Sequence, residues 1–129
     1  MKYLLDTHSF MWFVEGKHSL SATARNLIAN EKSILFLSMA SIWEIAIKSS
    51  LNKLTLHQPF EVFISNQIRN NALNILEINI QHTIQVTYLP FHHRDPFDRI
   101  IIAQSIVESL PIISVDTIFD MYAGVTRIW

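Results

Sequence analysis

A chain of 129 residues forms one domain, with material for a single sizeable core but not for two. It is half hydrophobic, has a formal charge of −1 and lacks cysteine. This excludes a disulfide framework, a thiolate zinc site, a cysteine nucleophile and nucleic-acid binding through one large basic face, though not a local basic patch.

The first segment, residues 2–5, is short and almost uniformly apolar, as a central strand covered on both faces should be. No signal sequence precedes it and no apolar run approaches ~20 residues, so a soluble cytoplasmic protein with no membrane partner is expected. Residues 7–15 read as a helix carrying Phe10, Met11, Trp12 and Phe13. Four consecutive large apolar residues cover all sides of a helix, so part of this stretch is expected to meet a partner. Ser19 or Ser21 caps a second helix through about Asn30, with Leu20, Ala24, Leu27 and Ile28 on one stripe. Residues 34–37 then read as a strand, 39–51 as a helix, and 60–72 as another helix with Phe60, Phe63, Ile64 and Ile68 at suitable spacing. A short strand at 74–78 and a helix at 80–88 follow. Asp95-Pro96 opens a helix through Leu110, residues 112–115 form a strand, and 125–128 form a last edge strand. Apolar runs alternating with helical segments predict an α/β domain spanning 1–129, with a central, mostly parallel twisted sheet of four to five strands flanked by helices.

Four acids stand where the apolar segments stop or the next helix starts: Asp6, Glu44, Asp98 and Asp116. Parallel strands would bring their carboxyl ends to one edge, where open α/β sheets bind ligands. Each acid also has an ordinary reading. Asp95 suits an N-cap, with Pro96 and Asp98 at the first and third helical positions. Asp116 suits a cap for a short helix holding Ile118, Phe119, Met121 and Tyr122. Glu44 has Lys48 four residues on, in the favourable orientation for an ion pair. Its stripe of Ser41, Glu44 and Lys48 faces either solvent or a cleft. Asp6 is hardest to explain as structural, because strands disfavour Asp and Thr7 is available to cap the next helix. Carboxylates cannot crowd together as anions without a cation, so convergence implies a hard ion, Mg²⁺ or Mn²⁺. Zinc is disfavoured by scattered histidines; His92 and His93 are adjacent and their side chains diverge.

The chain resembles the PIN-domain family, and more closely the VapC-type toxins of bacterial toxin–antitoxin pairs. The resemblance rests on Tyr3-Leu4-Leu5-Asp6-Thr7-His8, Ser41-Ile42-Trp43-Glu44-Ile45, His93-Arg94-Asp95-Pro96-Phe97-Asp98-Arg99, Ile101-Ile102-Ala103-Gln104, Ile113-Ser114-Val115-Asp116 and Arg127-Ile128-Trp129, in this order over essentially the whole chain. It implies that Asp6, Glu44, Asp98 and Asp116 surround Mg²⁺ or Mn²⁺, and that the protein is a ribonuclease, often a homodimer, inhibited by a small cognate antitoxin. Asp95 is an extra acid beside the third motif, and Ser114 matches a hydroxyl position that holds a neighbouring carboxylate or water. Arg94, Arg99 and Lys48 lie near motif acids, where they either contact RNA phosphates or pair with Asp95, Asp98 and Glu44. The rival readings are a catalytically silent interaction module on the same fold and a housekeeping RNA-processing nuclease without an antitoxin.

Overall fold

The computed structural model describes residues 1–129. Five strands, β1 (Lys2–Leu5), β2 (Ile34–Ser38), β3 (Asn74–Leu76), β4 (Ile112–Ile113) and β5 (Arg127–Ile128), form one sheet in the order β3-β2-β1-β4-β5. Every pairing is parallel. The expected α/β architecture is therefore present, and the sheet is wholly rather than mostly parallel. Six helices flank it: α1 (Thr7–Glu15), α2 (Ala22–Ala29), α3 (Met39–Ser50), α4 (Phe60–Asn70), α5 (Ile80–Tyr88) and α6 (Pro96–Glu108). A 3₁₀ turn over Thr117–Met121 joins β4 to β5.

The strands are buried because the sheet is covered on both sides. Tyr3, Leu5, Leu35, Leu37 and Ile113 point into one cluster with Phe10 and Met11 of α1, Ala24 and Ile28 of α2, and Phe63 of α4. Leu4 and Ile112 point the other way, against Ile101, Ile102 and Ala103 of α6, with Phe36 packed alongside. Helix α3 serves both layers, giving Ile42 and Ile45 to the first and Ala40 to the second.

Several boundaries are tighter than the apolar runs suggest. Ser21, not Ser19, caps α2, accepting Ala24 N–H at 3.0 Å. Helix α4 stops at Asn70, ahead of Ala72 at φ 49°, and α6 stops at Glu108 because Ser109 turns left-handed at φ 54°. No helix is long and apolar enough to cross a membrane.

From β1 the chain steps outward to β2 and β3, then returns to the other side of β1 for β4 and β5. The reversal between β1 and β4 is the topological switch point, where the two strands' carboxyl ends part and leave a crevice. Leu5 is in register with both Leu37 and Ile113. The next residue is Asp6.

Candidate active site

Asp6 sits at the switch point, its N–H bonded to Ile113 O at 3.3 Å. Thr7 does not cap α1; Asp6 does, its Oδ1 accepting Ser9 N–H at 2.7 Å. Its Oδ2 accepts a short hydrogen bond from the Ser114 hydroxyl, across from β1 to the end of β4. Asp6 is 4 % exposed. That burial pushes its carboxyl above the ordinary range, and the bonds from Ser114 and Ser9 offset the push only in part.

Thr7 lies inside the first turn of α1 and turns to α3. Its hydroxyl stands 2.9 Å from Ser41 Oγ and 3.1 Å from Glu44 Oε1. Glu44 is buried, and its Oε2 accepts Lys48 Nζ at 2.7 Å. The polar stripe of α3 thus faces the interior of the cleft at Ser41 and Glu44. Only Lys48 reaches toward solvent.

Asp95 is the N-cap of α6, accepting Phe97 and Asp98 N–H groups at 2.8 and 3.3 Å. This is the capping geometry expected of Asp-Pro at a helix start. Asp98, one turn in, is half-buried and pushed up to about 7, first by burial and then by the Asp95 charge. His93 draws it down, while Glu44 and Asp6 add to the rise. Asp98 therefore lies within electrostatic reach of Asp6 and Glu44, carried on different elements. The fourth acid, Asp116, caps the 3₁₀ turn through Ile118 N–H at 3.0 Å. Its backbone N–H donates to Ser114 Oγ at 3.0 Å, so one hydroxyl ties Asp6 to Asp116.

His93, the first residue of the third motif, completes the arrangement in a role its motif position does not announce. Its Nε2 lies 3.0 Å from Asp116 Oδ2 and 3.1 Å from Asp98 Oδ2. His92 and His93 do diverge, and His93 alone turns into the site while His92 packs on Tyr122. No spacing signal could reveal a contact with Asp116, 23 residues away.

Two expectations need correction. Arg99 is not available to a phosphate. It is buried, and its guanidinium donates to the carbonyls of Pro90, His93, Val86 and Leu89 beneath the Phe91 ring. It ties together the chain between α5 and α6 by satisfying backbone oxygens there, among them those of Leu89 and His93. In the apolar stretch of α1, Phe10 is 1 % exposed and belongs to the core, and Met11 is nearly as buried. Trp12 and Phe13 are half-buried, Trp12 edge-on to Trp129 at 6.0 Å. The carboxyl terminus covers a side of α1 that helix periodicity alone leaves open. Arg94 is exposed and pairs with no acid, whereas Lys48 is engaged by Glu44.

The donors gathered at this edge are carboxylate and hydroxyl oxygens, a hard set suited to Mg²⁺ or Mn²⁺. As they stand, no three His, Asp or Glu side chains are placed to hold a metal ion together. Protein donors occupy most of the oxygens instead, while Asp98 Oδ1 accepts none. Burial raises both Asp6 and Asp98, and neighbouring carboxylates raise Asp98 further, so this edge has too little positive charge and its oxygen donors suit a divalent cation.

The PIN domain family model matches residues 3–125. Among solved structures, the fold is similar to VapBC2 from Rickettsia felis bound to a DNA fragment from its promoter, with TM-score 0.73, 14 % identity, and 99 % of this chain and 98 % of that chain covered. DNA-bound VapBC from Salmonella typhimurium gives 0.74 at 13 % identity, covering 99 % and 97 %. FitAcB from Neisseria gonorrhoeae gives 0.62 at 17 %, covering 100 % and 97 %. No curated protein matches the sequence. With the family model covering nearly the whole chain and five parallel strands in place, the protein belongs to the PIN-domain family.

Proposed function

We propose that this PIN domain is a Mg²⁺- or Mn²⁺-dependent endoribonuclease, the toxin of a toxin–antitoxin pair. The observation that carries the reading is the convergence of Asp6, Glu44 and Asp98 at the switch point, where burial and the neighbouring acids push Asp98 up to about 7. Similarity in fold to the VapBC complexes supports the biological setting.

In this reading Asp6, Asp98 and Asp116 hold the ion, and Glu44 joins directly or through water. When bound, a divalent ion lowers the pKa of a coordinated water and neutralises charge on the scissile phosphate. The chain supplies rigid placement. Ser9 and Ser114 fix the two oxygens of Asp6, and Thr7 and Lys48 fix those of Glu44. Exposed Arg94, without an acidic partner, and half-exposed Lys48 are placed to meet flanking phosphates. Cleavage of this kind leaves 5′-phosphate and 3′-hydroxyl ends and does not use the RNA 2′-hydroxyl.

The apolar surface suits two protein partners. A 430 Å³ cavity of mixed lining, apolar at Met11, Val14, Leu56 and Phe63 and polar at Glu15 and Gln67, lies along α1 and α4, a place for an amphipathic antitoxin helix. On the opposite layer Trp43, Ile80, Tyr88 and Phe91 are exposed. Residues 78–93 carry no Asp, Glu, Lys or Arg, so a second copy would meet this face without like-charge repulsion.

The test is sequencing of RNA ends after brief induction of wild type and Asp98→Asn. New 5′-phosphate ends in the wild type alone are expected. Equal cleavage by a clean Asp98→Asn preparation overturns the assignment.

A further inference from the structure

We propose that His93 is a fifth, positioning member of this site: its ring holds the Asp98 and Asp116 carboxylates toward each other without itself binding metal. The inference rests on the metal-dependent reading above.

Three observations lead to it. First, no other side chain is bonded to the Asp98 carboxylate, and only His93 is bonded to both acids. Asp98 is carried by α6 and Asp116 by the end of β4, and a single ring nitrogen stands within 3.1 Å of an oxygen of each. The ring takes only Oδ2 of each carboxylate, which leaves Asp98 Oδ1 without a donor.

Second, the proton lies on the nitrogen facing the acids. His93 Nδ1 accepts the Asp95 N–H at 3.4 Å, so in the neutral ring Nε2 carries the hydrogen and donates. A nitrogen that donates has no lone pair to offer an ion, and the one that has a lone pair faces the α6 cap. The ring must turn over before it can ligate.

Third, the segment carrying His93 is built to be stiff. Its N–H donates to Tyr122 Oη at 2.7 Å, and Tyr122 Oη donates to Pro90 O at 2.8 Å. Arg99 Nη1 donates to Pro90 O at 2.9 Å and to His93 O at 3.2 Å. The ring also rests against Phe119 at 5.8 Å. Capping of α6 needs none of these bonds, because Asp95 performs it alone. They serve to place one imidazole.

A donor behind a ligating carboxylate sets its orientation, and removal of such partners weakens metal binding by ~10–100-fold. The test is Mn²⁺ titration by calorimetry on the full chain without RNA, for wild type, His93→Gln and His93→Ala. Circular dichroism verifies folding, and His93→Gln provides the reading if the alanine variant does not fold. Saturable binding in wild type, weakened ~10-fold or more by His93→Gln, with no nitrogen coupling in the Mn²⁺ electron spin resonance of wild type, is the expected result. Unchanged affinity would show that the ring positions nothing, and tighter binding would show that it competes with the ion; either overturns the proposal. Nitrogen coupling in wild type overturns it as well, since His93 is then a ligand. If wild type binds no Mn²⁺ at all, the metal reading itself falls, an outcome distinct from the other three.

Discussion

The two halves of the acidic site are built differently. Asp6 and Glu44 form an inner wall: both are buried, and donors from Ser9, Ser114, Thr7 and Lys48 occupy all four of their oxygens. Asp98 and Asp116 form an outer wall, with side chains 24 % and 33 % exposed, linked through His93. The inner wall is part of the folded core. The outer wall is held in place by a loop side chain and presents its oxygens to whatever enters. A hard cation between the walls would meet fixed ligands on one side and accessible ones on the other.

The largest expected effect erases the distinction. Asp6→Asn and Asp98→Asn should each abolish RNA cleavage, measured on purified protein with Mn²⁺, because both walls are needed.

Stability should separate them again. Asp98 binds a proton in the folded protein up to about pH 7, whereas the unfolded carboxyl loses it near 3.8. The folded state therefore binds more protons than the unfolded state across that window. Stability from this group is present below about pH 4, declines through pH 7 and stays low above it. Metal-free Asp98→Asn should accordingly melt higher than wild type at pH 8 and close to it at pH 4. Added Mn²⁺ should raise the wild-type melting temperature and leave the variant unmoved. A variant that melts lower than wild type at pH 8 would mean that the outer wall is not charge-strained.

Ser114→Ala tests the joint between the walls. It leaves the buried Asp6 Oδ2 and the Asp116 N–H without their partner, at a cost of about 1–3 kcal/mol in denaturant unfolding. Asp95→Ala is the smaller control: it removes an N-cap worth about 1 kcal/mol and should spare metal binding. A large loss of Mn²⁺ affinity there would place Asp95 among the ligands.

Much of this was legible in the residues. Asp6 reads as the least structural of the acids because Thr7 is free to cap α1, yet Asp6 itself caps that helix. Asp95-Pro96 and Asp116 were legible as caps, and they do cap. Capping and a place at this edge are compatible, because Asp6 and Asp116 each cap a helix and both bond to Ser114. The misreadings have one cause. Arg99 looked like a phosphate contact beside an acid, but helix rotation turns its side chain away to the carbonyls before α6. Phe10 looks like surplus apolar surface in the helix pattern, but it is buried in the core cluster with Leu5 and Ala24, edge-on to Phe63 of α4.

The sequence by itself determined the α/β alternation, the single domain and the acids at strand ends, because burial on both faces of a parallel sheet and helix-start chemistry act over a few neighbouring residues. Only tertiary structure decided that Glu44 faces a cleft, that Ser114 joins Asp6 to Asp116, and that His93 stands between Asp98 and Asp116. The decisive contacts, His93 to Asp116, Thr7 to Glu44 and Ser114 to Asp6, span 23, 37 and 108 residues of chain. They depend on strand order at the switch point, and no local pattern carries that information.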